Sequence, residues 1–326
     1  MLLALTGCGR GAGHAPKSPS VASSETTQPT PASHSSAGPA RPPFAVGIRT
    51  VTFIDRSRHV KVPGHGRQPR TLQTLIRYPA NGPGRRTDVK NAAPARRAAP
   101  FPLIVFGHGY NITPTPYAPL LQAWARAGYV VAAPIFPLEN ADAPGGPNEN
   151  DLVNQPQDMK FVISQMFALN GQNGGPFDGM IDPGRVAVSG QSDGGETALA
   201  VAYDKFFRDR RVDAAVILSG AKIPGISGFT FPAPSPPLLA TQGSADVLNL
   251  PHYTHEFFDA APAPKYLLTM FGASHLGPYT GQEQAGTLER VTVLFFDRYL
   301  KGLERDTLRL IKAGDVRGRS VVNASP

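Results

Sequence analysis

The chain has 326 residues, 32 Lys and Arg against 24 Asp and Glu for a formal charge of +8, and an apolar fraction of 41%. That length and composition can fill a substantial core, in one large domain or two small ones. No basic helix carries interleaved aromatics, which argues against nucleic-acid binding; the excess charge points at most to attraction by an anionic membrane or cell-wall surface.

The chain opens on a short apolar run ending in Leu5-Thr6-Gly7-Cys8. This run resembles the bacterial lipobox, in which the cysteine receives lipid and becomes the mature N-terminus. No basic segment precedes it and the apolar stretch is short for a signal peptide, so either the true start lies upstream or the match is accidental. Cys8 is the only cysteine, which excludes an intramolecular disulfide. Residues 9–43 are rich in Pro, Ser, Thr, Ala and Gly and nearly free of large apolar side chains. Such a segment cannot bury enough surface to offset its ordering entropy and is expected to be a disordered linker. No stretch has the length of a transmembrane helix.

From Phe44 the pattern changes. Residues 45–56 and 70–79 alternate apolar and polar side chains, as an antiparallel pair at a sheet edge does. The basic, Pro/Ala-rich stretch between Tyr78 and Phe101 reads as a solvated loop. Residues 101–109 (FPLIVFGHG) begin with the continuous apolar run of a strand buried on both faces. Strand and helix signals then alternate: helix 117–128, strand 129–134, a helix starting near Pro156, strand 184–190, helix 194–204 and strand 213–220. Strand 236–243, helix 252–261, strand 265–272 and helix 287–302 complete the series. That alternation requires a mainly parallel sheet with helices on both faces. The expected organisation is a lipobox-like segment over 1–8, a linker over 9–43, a single α/β domain over 44–310 and a short polar tail over 311–326.

Gly190-Gln191-Ser192-Asp193-Gly194 falls between a buried strand and a helix. A G-x-S-x-G run in that position is the nucleophile elbow of α/β-hydrolases, a sharp turn that lifts the serine hydroxyl above the sheet. A serine hydroxyl needs a neighbouring base, and the fold orders its residues Ser, then acid, then His. Of the downstream histidines, His252 and His255 lie on an amphipathic helix. His275 follows the last apolar strand, where a loop can carry it over Ser192, and is the expected base. Asp246 follows the preceding strand and is the expected acid, holding the imidazole's tautomer. Asp213 precedes its strand, Asp259 lies on a helix, and the Asp193 side chain is expected to point away from the serine. The oxyanion requires two backbone N–H donors: Asp193 is one, and Tyr110 the other, with Gly109 as the alternative. His108 reads as a structural turn residue.

With these residues in hand, the chain resembles serine α/β-hydrolases of the dienelactone hydrolase, platelet-activating-factor acetylhydrolase and cutinase-like polyester hydrolase group. The resemblance spans residues 70–302 and rests on IRYPA, PLIVFGHGY, AGYVVAAP, DPGRVAVSGQSDGG, GSADVL, GASHLG and FFDRYLKG. It implies Ser192, Asp246 and His275 as the triad and Tyr110 and Asp193 as oxyanion amides. The chain departs from the group in carrying Ser where dienelactone hydrolases carry Cys. Gln191 and Asp193 flank the nucleophile where the polyester hydrolases have His and Met, and their C-terminal disulfide cannot form.

The expected function is a lipid-anchored or secreted ester hydrolase on the outer side of a bacterial envelope, a monomer working through an acyl-enzyme. It needs no cofactor or metal and has no partner beyond a small or polymeric ester and the membrane tether at Cys8. Acyl transfer to an envelope alcohol or sugar would use the same triad, and a binding lipoprotein on an inactive scaffold is the alternative from another class. Residues 139–151 and 221–237 are expected to overhang the site. The first of these is acidic and reads as solvated rather than cation-binding.

Overall fold

The computed structural model describes residues 11–13, 42–225 and 228–326. Cys8, the segment around it and nearly all of the linker therefore lie outside the described residues. Residues 42–225 and 228–326 belong to one compact unit.

Its centre is a ten-stranded sheet. In chain order the elements are β1 (Ala45–Val62), β2 (Gly66–Ala80), β3 (Asp88–Lys90), β4 (Phe101–Gly107), α1 (Ala118–Arg126), β5 (Val130–Pro134), α2 (Gln155–Asn170), β6 (Ile181–Gln191) and α3 (Asp193–Tyr203). Then come β7 (Val212–Leu218), β8 (Leu238–Gly243), α4 (Pro251–Ala260), β9 (Lys265–Met270), α5 (Ala285–Leu300), α6 (Asp306–Gly314) and β10 (Ser320–Ser325). The strand order is β10-β9-β8-β7-β6-β4-β5-β2-β1-β3. The six strands from β9 to β5 in that order are mutually parallel, and β2 and β10 pair antiparallel at its two ends. This is the α/β-hydrolase architecture.

The alternation of the strands divides the core. Leu103 and Val105 of β4 face a layer built with α2, α3 and α4, while Ile104 and Phe106 face α1, α5 and α6. Side chains at adjacent strand positions point to opposite faces, so strands covered on both sides must be apolar throughout. Every residue of β4 and β5 is buried accordingly.

Two expectations fail. The tail after Leu310 is not a tail: α6 buries Leu310 against the core, and β10 pairs antiparallel with β9, burying Val322. An edge strand is held by backbone hydrogen bonds and needs few apolar side chains, so its composition reads as polar. The stretch before Phe101 is also partly ordered. Its β3 pairs parallel with β1, Tyr78 donates its hydroxyl to the Ala92 carbonyl at 2.8 Å, and Ala95 is buried.

The acidic stretch 139–151 is solvated only in part: Glu139 and Asp151 at its ends are buried, whereas most residues between them are exposed. Arg70 of β2 fastens it. The guanidinium donates to both oxygens of Asp151 at 2.8 and 2.6 Å and to both oxygens of Asp158 of α2 at 2.6 Å. A planar fork between two carboxylates satisfies its donors bidentately, which makes burial of all three charges tolerable.

Candidate active site

Ser192 sits between β6 and α3 with φ 56° and ψ −126°, a conformation that a non-glycine residue adopts only under constraint. The constraint is close packing of backbone. A Cβ on Gly190 would run into the Gly194 carbonyl, and one on Gly194 into the Gly107 carbonyl at the end of β4. These glycines let β4, the turn and α3 touch, and that contact forces the serine side chain outward.

His275 comes from the loop after β9. Its Nε2 lies 3.0 Å from Ser192 Oγ and its Nδ1 2.8 Å from Asp246 Oδ2. With Nδ1–H donating to the carboxylate, Nε2 is left as an acceptor for the serine hydroxyl. Asp246, in the loop after β8, also accepts from the Leu248 and Asn249 amides at 3.0 Å and from Gln242 Nε2 at 3.2 Å. Burial alone would raise the pKa of Asp246. The His275 hydrogen bond and charge, with the Leu248 amide, outweigh burial and hold it below the usual carboxylate value.

The remaining expected residues separate cleanly. His252 and His255 are exposed on α4. Asp213 lies inside β7 rather than before it and accepts from the Val186 amide of β6, at the opposite end of the sheet from the elbow. His108 is wholly buried: its Nε2 accepts from the Phe136 amide at 3.0 Å, and its Nδ1–H donates to the Gly109 carbonyl at 2.8 Å. Burial pushes its pKa down to about 4, so it is a neutral tie between the loops after β4 and β5.

The loop after β4 presses on the nucleophile, for a Cβ on Gly109 would come within 3.1 Å of Ser192 Cβ. The Gly109 amide is engaged, donating to the Tyr117 hydroxyl at 3.3 Å. The Tyr110 amide has no acceptor among the described residues, and the Asp193 amide is turned toward its own side-chain carboxylate. The Tyr110 hydroxyl donates to the Pro147 carbonyl at 3.3 Å, which ties the 139–151 stretch to the rim of the site. Within the 221–237 stretch, Phe231 packs against Tyr203 at the far end of α3 from Ser192.

Several contributors were not anticipated from the sequence. Gln191 donates Nε2 to the His275 carbonyl at 3.0 Å, and its Oε1 accepts from the Tyr117 hydroxyl at 2.7 Å, pinning the histidine loop to α1. The Asp193 side chain does not point away. It is buried, with Oδ1 3.4 Å from Ser192 Oγ, because buried Glu139 provides it with a partner beneath the turn. The only legible signal for either residue was its place beside the nucleophile.

Among the described residues no group of three or more His, Cys, Asp or Glu side chains is arranged to hold a metal ion. No described helix is long and apolar enough to cross a membrane.

A model of the chlorophyllase family matches residues 89–219. The matched segment contains β4, the Ser192 elbow and β7, and ends before Asp246 and His275. No curated protein matches the chain. The fold and the match to a family of carboxylic ester hydrolases make the chain a serine-esterase-type hydrolase.

Proposed function

We propose that the chain cleaves carboxylic esters through an acyl-enzyme on Ser192, with His275 as base and Asp246 as its orienting carboxylate. The observation that carries this reading is the unbroken hydrogen-bond chain Ser192–His275–Asp246, at 3.0 and 2.8 Å. Nε2 takes the hydroxyl proton as Oγ bonds to the ester carbon, and the carbonyl π electrons move onto oxygen. The amides of Tyr110 and Asp193 receive that oxyanion. Collapse expels the alkoxide, which leaves with the proton from the imidazolium. Water, deprotonated by the same imidazole, then releases the acid and restores Ser192. Tyr110 and the 139–151 stretch supply one wall for the bound ester.

The test is product analysis with short uncharged esters, with and without an added alcohol. Free acid in both conditions supports hydrolysis. A new ester as the main product would make the chain an acyltransferase, and no product with any ester would defeat the proposal.

The lipobox-like run at Leu5–Cys8 and the linker composition support export and lipid anchoring on the outer face of a bacterial envelope. Mass spectrometry of the native N-terminus should find Cys8 first and acylated; an unmodified Cys8 in the mature protein would exclude the anchor.

A further inference from the structure

Beneath the nucleophile lies a pair of acids that the triad does not use. Glu139, in the loop after β5, is wholly shielded from solvent, and Asp193 is nearly so. Their carboxyl groups are in hydrogen-bonding contact. The outer oxygen of each has its own neighbour. Glu139 Oε2 accepts from Gln155 Nε2, and that amide is oriented because its Oε1 accepts from the Thr197 hydroxyl at 2.9 Å. Asp193 Oδ1 faces Ser192 Oγ at 3.4 Å. Glu139 Oε1 and Asp193 Oδ2 remain, both buried and both otherwise without a partner among the described residues. Two bare carboxylates in contact repel, whereas one proton between them makes a hydrogen bond.

We infer that Glu139 and Asp193 share one proton and hold a single negative charge on the Asp193 side, as positioning residues that set the pH range in which His275 accepts the serine's proton. The inference rests on the roles proposed above for Ser192 and His275. The proton belongs on Glu139, whose pKa is pushed up to about 10, first by burial and then by Asp193. The other groups facing the pair are Glu196 of α3, Glu149 and Asp151 from the turn before α2, Tyr117 beside α1, and His275. Asp151 is neutralised by Arg70, and burial pushes Glu196 up to about 9, which keeps it uncharged at neutral pH. Asp193 is therefore the carboxylate of the group that acts on the serine and imidazole.

Its effect has a definite sign. When His275 is protonated, Nε2 cannot accept from Ser192, and the hydroxyl can turn to Asp193 Oδ1 instead. The carboxylate also attracts the imidazolium. Both effects oppose the arrangement in which Nε2 accepts from the serine hydroxyl, so a variant without the carboxylate should keep that arrangement to lower pH. Asp193→Asn removes the charge. Glu139→Gln keeps it, because an amide N–H replaces the O–H toward Asp193 while the amide oxygen still accepts from Gln155.

The test is the pH dependence of kcat/KM, followed by acid release from a short uncharged ester. Asp193→Asn should move the acid limb down by about 0.5–1 pH unit. Glu139→Gln should leave that limb in place and remove any alkaline loss that wild type shows near pH 10. A structural role alone would lower the rate without moving either limb. Independently of turnover, infrared spectra at neutral pH should show the carboxylic-acid band weakened in Glu139→Gln relative to wild type. Coincident acid limbs for wild type and Asp193→Asn, or an undiminished band in Glu139→Gln, would overturn the inference. If wild type cleaved no ester, the proposed function would fall while the infrared result still decided the shared proton.

Discussion

Ser192→Ala is expected to lower kcat for a short ester by about 10⁴-fold or more, leaving only what the oxyanion amides and binding contribute. Among the described residues no other side chain is placed to take over. The imidazole is aimed at Oγ, and nothing else in hydrogen-bond contact with His275 Nε2 is a nucleophile, since its second neighbour is the Gln191 amide. The variant should fold normally. Alanine meets the same backbone strain at φ 56°, and the glycines that shape the turn are untouched. Near-wild-type thermal unfolding with activity below about 1% of wild type is the outcome the account requires. Substantial retained turnover would move the nucleophile elsewhere.

Arg70→Met should cost about 3–5 kcal/mol of stability, because it leaves Asp151 and Asp158 buried with their shared partner gone. Arg58 still reaches Asp158 at 2.7 Å and softens the loss there, but among the described residues Asp151 has no second ion pair. The damage extends to the site, since Arg70 anchors the stretch that carries Glu139 and meets the Tyr110 hydroxyl at Pro147. Urea denaturation of wild type and variant measures the stability change. Adding Asp151→Asn to the variant should recover part of it by removing the stranded charge. A loss below about 1 kcal/mol would mean that the fork contributes no more than an exposed ion pair.

The sequence made some of this legible for physical reasons. Strands buried on both faces, such as β4 and β5, announce themselves as unbroken apolar runs. The elbow is visible because its backbone contacts exclude side chains at Gly190 and Gly194. Asp246 and His275 could be found because each loop beyond its strand offered one suitable candidate. The hidden parts are held by contacts that leave little local pattern. β10 joins the sheet through its backbone with Val322 as its one large buried side chain. Glu139 and Asp151 look solvated in an acidic, Gly/Pro-rich stretch, and their burial depends on partners outside it, Gln155 for Glu139 and Arg70 for Asp151. The inward turn of Asp193 depends on the same folded stretch, and no spacing rule encodes it.

The most direct test of the central claim is covalent labelling of the native protein by an uncharged fluorophosphonate, followed by peptide mapping. The account predicts one phosphonyl adduct, on Ser192, abolished in Ser192→Ala and greatly slowed in His275→Ala. A folded wild-type protein that remained unlabelled, or an adduct on any other residue, would contradict it.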